Sequence, residues 1–474
     1  MTAAFPEIRH LQGNFAPLLM EGEAHDLVVE GEVPRELAGS LYRNGPNPQY
    51  PPRGTSHWFG GEGMVHAFHI RDGRVAWRNR WVMTEKVVLE RAAGRALFGM
   101  FNNPMVSDPS VRDKDPSLAN THIVWHAGRL LALEEGHAPV AVDPQSLATD
   151  GIWDFGGALK ANFTAHPKVD PETGEMLAFA YMAKGPATPD LAYYVIDNAG
   201  RLTRQDFFQA PYSAMVHDFI TTDRHVLFPV FPLTADMGRI MQGKPFFAWE
   251  PDKGSHIGVM ARDAVTETIR WFQAPACYVF HPLNAFTDGN RIVADVMKYD
   301  VAPLFTDPEG RPAASGDNPA RLVRWTFDLD GNSDTVAEEM LDDQPAEFPR
   351  LDERRTGLTY RYGFAAGRSA PVEPGGDDSF DTFDTLLRYD LSAGGKESHQ
   401  LPDGQTLSEP VFVPRSDTAP EGDGWLLATA FRPRENRSDL VIFDTGDIAH
   451  GPVARAHLPV RVPYGFHGSW RPDA

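Results

Sequence analysis

Four histidines stand out in this 474-residue chain because apolar or proline-containing sequence surrounds each of them. They are His166 in FTAHPKV, His217 in SAMVHDF, His281 in YVFHPLN and His467 in RVPYGFHGSW. Buried imidazoles from distant sequence positions cost free energy unless something binds them, and one metal ion could bind all four. Neutral imidazole suits Fe(II), Cu, Zn or Ni. The pattern indicates a metal centre, although a lone histidine in an apolar strand is more often an ordinary core residue.

Three glutamates lie in similarly distinctive sequence. They are Glu135 in LLALEEG, Glu347 in PAEFPRLDERRTG and Glu409 in SEPVFVPR. A metal-bound histidine usually donates its second N–H to a carboxylate, which fixes the tautomer and raises the basicity of the ring. These residues are therefore candidates for orienting the histidines. Taken singly, each is equally well a charge at the end of a strand that faces solvent.

Composition excludes several kinds of function. The net charge of −21 disfavours nucleic acid as a partner, because phosphate binding needs a basic surface. The single cysteine, Cys277, allows neither an intrachain disulfide nor a cysteine-based metal site, and it fits a reducing compartment. We see no secretory signal and no apolar run near the ~18–20 residues of a membrane span. We expect a soluble, cytoplasmic protein and leave peripheral membrane contact open.

Short strand-like runs separated by glycine-containing turns fill most of the sequence. Examples are IRDGRVAW, FTDGNRIVADVM and TFDLDGNSD, in which Asp-Gly and Asn-Gly supply the positive φ of tight hairpins. The only helices expected are short ones in EVPRELAG and DMGRIMQG. Such a pattern predicts an all-β sandwich, a large barrel or a propeller, in one domain over residues 1–474. The first three histidines are about 50–65 residues apart, close to the length of one propeller blade.

Blocks spread over nearly the whole sequence, in order, resemble the signature of the carotenoid cleavage oxygenase family. They are LYRNGPNPQY, HWFGGEGMVHAF, TAHPKVDPETGEM, VHDF, EFPRLDERRTG, SEPVFVPR, EGDGWLL and RVPYGFHGSW. The resemblance implies a seven-bladed β-propeller, in which loops and short helices form a cap over an axial Fe(2+). It also implies cleavage of a conjugated C=C bond by O₂ to give two carbonyl products.

The resemblance assigns roles position by position. The iron ligands fall on the four histidines, and the carboxylates that orient them fall on Glu135, Glu347 and Glu409. Thr121 matches a family threonine beside an open iron position, and we expect it to limit access there to O₂. The expected partners are O₂ and a lipophilic or aromatic alkene.

The blocks disagree about the substrate. AKGPATPDLAYYVID and ENRSDLVIFDTGDI resemble the branch that acts on phenylpropanoids, whose members hold the substrate phenol with a tyrosine and a lysine. Those two positions fall on Phe101 and Glu134. An apolar pocket with Phe59 and Phe101 suits a polyene, so we expect an apocarotenoid-like substrate. The alternatives are a 4-hydroxystilbene, isoeugenol or vinylphenol-type alkene, a redox-neutral isomerohydrolase, and a propeller that only binds a partner protein.

Overall fold

Antiparallel β-sheets make up most of the computed structural model, which describes residues 4–100, 104–314, 316–370 and 383–473. In these residues there are seven sheets of four to six strands and one two-stranded ribbon. The seven sheets are the blades of a seven-bladed β-propeller, which confirms the predicted fold class. The compact units are two, and each is described in turn.

The first unit comprises residues 1–156, 384–388 and 396–474. One sheet has the strand order β1 (Gly22–Ala24), β5 (Arg74–Trp81), β4 (Met64–Arg71), β3 (Gly39–Arg43) and β33 (Gly468–Pro472). A second has the order β6 (His122–His126), β7 (Arg129–Leu133), β8 (Val140–Val142) and β9 (Thr149–Ile152). A third has the order β2 (Val28–Gly31), β32 (Ala454–His457), β31 (Arg437–Asp444), β30 (Gly424–Arg432) and β28 (Thr406–Leu407), and β29 (Val411–Pro414) also pairs with β30.

The second unit comprises residues 157–383 and 389–395. Its sheets are β10 (Lys168–Val169), β11 (Met176–Tyr181), β12 (Asp190–Ile196) and β13 (Leu202–Gln209); β14 (Ile220–Thr221), β15 (His225–Val230), β18 (Ser255–Ala261) and β19 (Arg270–Ala274); and β20 (Tyr278–Asp288), β21 (Arg291–Tyr299), β22 (Arg321–Asp328) and β23 (Ala337–Asp342). The ribbon is β16 (Leu233–Ala235) and β17 (Phe247–Trp249). The remaining sheet has the order β24 (Ala346–Leu351), β25 (Tyr362–Gly367), β26 (Thr385–Asp390) and β27 (Gly395–Gln400).

Strand β33 brings the end of the chain back to its beginning. It pairs antiparallel with β3, in a register that places Gly468 opposite Arg43 and Trp470 opposite Leu41. His467 directly precedes this strand. The pairing of the two ends of the chain in one sheet therefore sets the position of the last candidate ligand.

Alternation of side chains explains why these segments form half-buried strands. In β5, Val75, Trp77 and Trp81 are buried while the residues between them are less covered. Successive side chains of a strand point to opposite faces, so one apolar face packs inward. Trp77 belongs to a core cluster of the first unit that also contains Leu427 and Ile442. Each blade is thus stabilised by burial of apolar side chains against its neighbour in the same unit.

Helices are few and short. The α-helices of the described residues are α1 (Glu85–Ala93) and α2 (Met237–Met241). Single 3₁₀ turns are Arg9–Leu11, Gly13–Phe15, Trp58–Gly60, Pro104–Val106, Pro109–Val111, Pro251–Lys253, Thr266–Thr268, Glu353–Arg355 and Ile448–His450. None of the helices in the described ranges is both long and apolar enough to span a membrane.

The two helix predictions differ in outcome. Helix α2 confirms the prediction in DMGRIMQG, but the prediction in EVPRELAG is wrong. That segment forms a turn, closed by a 3.2 Å hydrogen bond from the Leu37 N–H to the Pro34 carbonyl. The sequence patterns did not reveal α1, although Thr84 caps its first turn and Gly94 ends it at φ 65°. A capping threonine and a terminal glycine are the usual signals of helix ends.

Candidate metal centre

Three of the four histidines form a cluster in the second unit. His166 lies just before β10, His217 just before β14 and His281 within β20, and all three are buried. The Nε2 atoms of His166 and His217 are 3.0 Å apart, and those of His217 and His281 are 3.2 Å apart. Residues from three different sheets thus direct the same ring nitrogen towards one point.

An irregularity in β20 directs the His281 side chain. The register between β20 and β21 shifts between Val279 and Pro282, and again between Pro282 and Asn284. A bulge re-aims the side chains beside it, and proline has no N–H to offer to the ladder. The sequence HPLN therefore places the imidazole where a regular strand would not.

Glu347 holds the second nitrogen of His281. Its Oε2 lies 2.6 Å from His281 Nδ1, and the carboxylate is fully buried. The same oxygen accepts the N–H of Phe348, a residue at the unusual φ of 53°. The Phe348 ring stacks on His281 with a centroid separation of 5.4 Å. Backbone strain of this kind is concentrated at functional sites.

His467 has an equivalent arrangement in the first unit. Glu409 Oε1 lies 2.8 Å from His467 Nδ1, and its Oε2 accepts the N–H of Gly468 at 2.8 Å. The Arg43 guanidinium donates to the backbone carbonyls of Glu409, at 3.2 Å, and Phe466, at 3.0 Å. A Cβ on Gly468 would lie 2.6 Å from the carbonyl oxygen of Tyr42. Only glycine allows the backbone to approach this closely after the histidine.

The metal-binding nitrogens of all four histidines lie within 4.8 Å of one another. In His281 and His467 the Nδ1 atom faces a carboxylate and therefore carries the proton, which leaves a lone pair on Nε2. Lone pairs directed at one point repel one another unless a cation lies between them. The donor set therefore fits a metal ion that prefers neutral imidazole, such as iron, and it offers no thiolate.

Asp218 is a carboxylate of this cluster that its sequence pattern alone did not single out. It is buried, and its carboxylate contacts the Lys168 ammonium at 2.8 Å. It also accepts the N–H of Phe219 at 2.7 Å and lies 3.8 Å from His166 Nδ1. Burial raises the pKa of Asp218, while the Lys168 charge opposes that rise. The signal available in the sequence was an aspartate directly after a candidate ligand, in VHDF.

Thr121 lies beside His467 in the first unit. Its carbonyl accepts the His467 N–H at 3.2 Å, and its own N–H donates to the Leu133 carbonyl at 2.9 Å. The threonine hydroxyl donates to Asn120 Oδ1 at 3.0 Å. The backbone of Thr121 therefore helps to place a candidate ligand. Its expected effect on O₂ access stays a prediction.

Phe59 belongs to the same neighbourhood. It lies in the 3₁₀ turn Trp58–Gly60, and its carbonyl accepts a hydrogen bond from Asn120 Nδ2 at 2.8 Å. Its ring meets the ring of Phe466 edge to face, with centroids 5.5 Å apart. Because Phe466 directly precedes His467, the aromatic pair lies next to a candidate ligand.

Glu134 follows β7 and is held by several donors. Its Oε1 accepts from the Ser117 hydroxyl at 2.8 Å, the Leu118 N–H at 2.9 Å and His137 Nδ1 at 2.7 Å. Burial opposes charge on His137, but the carboxylates of Glu134 and Asp115 raise its pKa to about 9. Burial likewise opposes charge on Glu134, yet His137 and the two other donors hold the pKa of its carboxyl below the usual value. Glu134 is therefore ionised at neutral pH.

Two predicted site residues gain less from the structure. Glu135 is half-buried in the turn after β7, and its role as an orienting carboxylate stays a prediction. Phe101 lies outside the described residues, so its place in a pocket also stays a prediction.

Comparison with known proteins identifies the family. The sequence profile of the Retinal pigment epithelial membrane protein family, which includes the carotenoid oxygenases, matches residues 15–472. The chain belongs to this family. An isoeugenol monooxygenase from Pseudomonas nitroreducens is 41% identical over 467 residues, 98% of each protein. Lignostilbene-alpha,beta-dioxygenase isozyme III from Sphingomonas paucimobilis is 36% identical, over 99% of this protein and 98% of that one.

Solved structures of the family superpose on nearly all of the chain. A lignostilbene dioxygenase from Pseudomonas brassicacearum is 39% identical, with a TM-score of 0.95 and 100% of both proteins covered. The cobalt-substituted apocarotenoid oxygenase of Synechocystis is 30% identical, with a TM-score of 0.84, and the match covers 96% of this protein and 97% of that one. This member of the carotenoid oxygenase family is accordingly an alkene-cleaving dioxygenase.

The comparisons correct the expected order of substrates. The relatives at 41% and 36% identity are named for isoeugenol and lignostilbene, which are phenylpropanoid alkenes. The apocarotenoid oxygenase is more distant, at 30% identity. The expectation of an apocarotenoid-like polyene is therefore less well supported than its phenylpropanoid alternative. The reasoning from Phe59 and Phe101 weighted two pocket positions above the similarity of the whole sequence.

Proposed function

We propose that this protein cleaves the exocyclic C=C bond of a phenylpropanoid alkene of the isoeugenol or 4-hydroxystilbene type. The reaction consumes one O₂ and gives two carbonyl products. The supporting observation is the convergence of four buried histidine nitrogens, in a protein 41% identical to an isoeugenol monooxygenase over 98% of its length. Fe(2+) held by His166, His217, His281 and His467 would supply the redox chemistry with O₂.

The protein residues prepare this site in two ways. Glu347 and Glu409 accept the Nδ1 protons of His281 and His467 and so direct the Nε2 lone pairs inward. Burial of all four imidazoles keeps water from the donor atoms. Thr121, beside His467, would narrow the approach so that O₂ enters more readily than larger molecules.

Glu134 would bind the substrate hydroxyl in its neutral form. The three hydrogen bonds that hold Glu134 all end on Oε1, so Oε2 can accept a further hydrogen. A lysine at this position would favour the phenolate, whereas an ionised carboxylate disfavours a second negative charge nearby. The substrate would therefore stay a phenol, which donates its hydrogen to Glu134.

The test is an assay of iron-loaded protein under ¹⁸O₂ with isoeugenol, 4-hydroxystilbene and an apocarotenal, with products identified by mass. We expect aromatic aldehydes from the first two, with label in the carbonyl oxygens. Cleavage of the apocarotenal alone would contradict the proposed substrate class. Turnover without any label would indicate the redox-neutral alternative, and protein free of iron after iron-replete expression would contradict both enzymatic proposals.

A further inference from the structure

A buried ion cluster lies in the first unit, apart from the histidines. It consists of Lys86 and Glu90 in α1 and of Glu62, with side chains 8%, 1% and 5% exposed. The Lys86 ammonium lies 2.6 Å from Glu90 Oε2 and also contacts Glu62 Oε1. Buried ion pairs often stabilise a fold no better than apolar residues of the same size. A role in fixing one conformation is the better-supported reason to keep such a cluster.

Each carboxylate of the cluster also holds a backbone segment. Glu90 Oε1 accepts the N–H groups of Leu97, at 2.8 Å, and Phe98, at 3.0 Å. Glu62 Oε2 accepts the N–H of Gln49 at 2.9 Å. The Lys86 ammonium lies 5.7 Å from the centre of the Phe98 ring. The cluster thereby joins residues 97–98 to the segment that carries Glu62.

The segment fixed in this way packs against the turn that carries Phe59. Met100 Sδ accepts the N–H of His57 at 3.2 Å. The Met100 methyl lies 1.6 Å from where a Cβ of residue 60 would be, so it fills the space that Gly60 leaves open. Met100 therefore contacts the backbone on both sides of Phe59, whose ring meets Phe466 beside His467.

We propose that the Lys86–Glu62–Glu90 cluster positions the aromatic wall of the substrate site. By fixing residues 97–98 it holds Met100 against the Phe59 turn, and Phe59 against Phe466. The three charged residues are positioning residues and do not touch the substrate. This inference rests on the proposed function for the identity of the substrate, and on the contacts above for its geometry.

The directionality of the hydrogen bonds explains why an apolar residue could not replace Glu90. A carboxylate oxygen can accept from two adjacent N–H groups at once. An alanine would leave the buried amides of Leu97 and Phe98 without their acceptor, which costs about 1–3 kcal/mol for each. Glutamine would retain a carbonyl acceptor and lose only the charge.

The test compares Glu90→Ala, Glu90→Gln and a control, Val75→Ala. Val75 is fully buried in a separate core cluster of the same unit and contacts neither segment. In Glu90→Ala we expect the KM for 4-hydroxystilbene to rise about tenfold, with kcat and iron content nearly unchanged. Glu90→Gln should recover most of the loss, and Val75→Ala should lower the Tm without a change in KM.

Two further measurements separate this inference from the proposed function. Amide exchange at Leu97 and Phe98 should quicken in Glu90→Ala alone. Affinity for 4-hydroxybibenzyl, the saturated analogue of the substrate, should fall about tenfold in that variant, as followed by tryptophan fluorescence. Equal affinities in Glu90→Ala and Val75→Ala would overturn the inference. Wild-type protein that binds the analogue but cleaves neither phenylpropanoid would overturn the proposed function, and the comparison of affinities would still decide the role of the cluster.

Discussion

At His281 the tautomer of one imidazole depends on one carboxylate. Glu347 lies 2.6 Å from Nδ1 and is fully buried, so glutamine there would place an amide where a charge acceptor is needed. We expect Glu347→Gln to weaken iron binding about 10–100-fold, as measured by metal titration. Glu353→Gln, which alters an exposed residue close by in sequence, is the control. Unchanged iron affinity in Glu347→Gln would mean that Glu347 does not orient the ligand.

His281 itself should be indispensable. Its replacement by alanine removes one of the four converging nitrogens and leaves Glu347 buried without its imidazole partner. We expect His281→Ala to abolish cleavage and to lower iron content sharply, as measured by metal analysis and product formation. His225→Ala, which changes a half-buried histidine in β15, should retain both.

At Glu134 the prediction concerns the substrate hydroxyl. A hydrogen bond to a charged group contributes about 1.5–3 kcal/mol, so we expect Glu134→Gln to lower kcat/KM for 4-hydroxystilbene about tenfold or more. The 4-methoxy analogue has no hydrogen to donate and should be unaffected. Asp115→Asn, which changes a second neighbour of His137, is the control. Cleavage of phenolic substrates should increase in the double variant Phe101→Tyr with Glu134→Lys, because lysine favours the phenolate.

The ion pair of His137 with Glu134 predicts a pH dependence of stability. The pKa of His137 rises from 6.5 to about 9, so the pair stabilises the fold fully below pH 6.5. That contribution is lost as the pH rises through about 9. We expect the free energy of unfolding, measured with urea, to fall over this window in the wild type. His137→Gln should remove that part of the fall, and an unchanged profile would contradict the assignment.

At the scale of elements, helix α1 carries two of the three charges of the buried cluster. Thr84 accepts the Val87 N–H at the start of the helix. Loss of such a cap costs about 0.5–2 kcal/mol. We expect Thr84→Ala to lower the free energy of unfolding by about 1 kcal/mol, and Thr84→Ser to restore it. A KM that rises with Thr84→Ala would indicate that the cluster needs an intact first turn.

Strand and turn signals were readable in the sequence, whereas the start and end of α1 were not recognised. Alternating apolar residues with Asp-Gly and Asn-Gly corners predict strands, because the pleat repeats every two residues. Helix α1 is short and packs only one face, so its apolar pattern is weak. The segment EVPRELAG has the composition of a helix, but it is only a turn between β2 and β3. Local propensity was outweighed there by the short distance between two strands.

At the scale of the whole molecule, β33 joins the last residues to the first blade. It supplies five residues to the edge of β3 and directly follows His467. We expect truncation after His467 to abolish iron binding and to lower the Tm markedly, because β3 loses its partner and Glu409 loses the Gly468 N–H. Asp473→Asn, which removes only an exposed ion pair with Arg71, should leave both unchanged. The single domain over residues 1–474 remains a prediction.

By themselves, the residues of this protein determined the kind of metal and the family. Four histidines without thiolate partners specify an imidazole site, and blocks spread along the whole sequence indicate the β-propeller. These properties depend on residue types and their order, which a sequence contains in full.

The tertiary structure decided which groups meet. Glu347 pairs with His281 and Glu409 with His467 across 66 and 58 residues, distances in sequence over which no local pattern can assign a partner. Asp218 acquired its place beside His166 in the same way. The charge of Glu134 depends on His137, Ser117 and Leu118, since a pKa is set by neighbours in space. Sequence order carries chemistry, but distance and burial arise only when the protein folds.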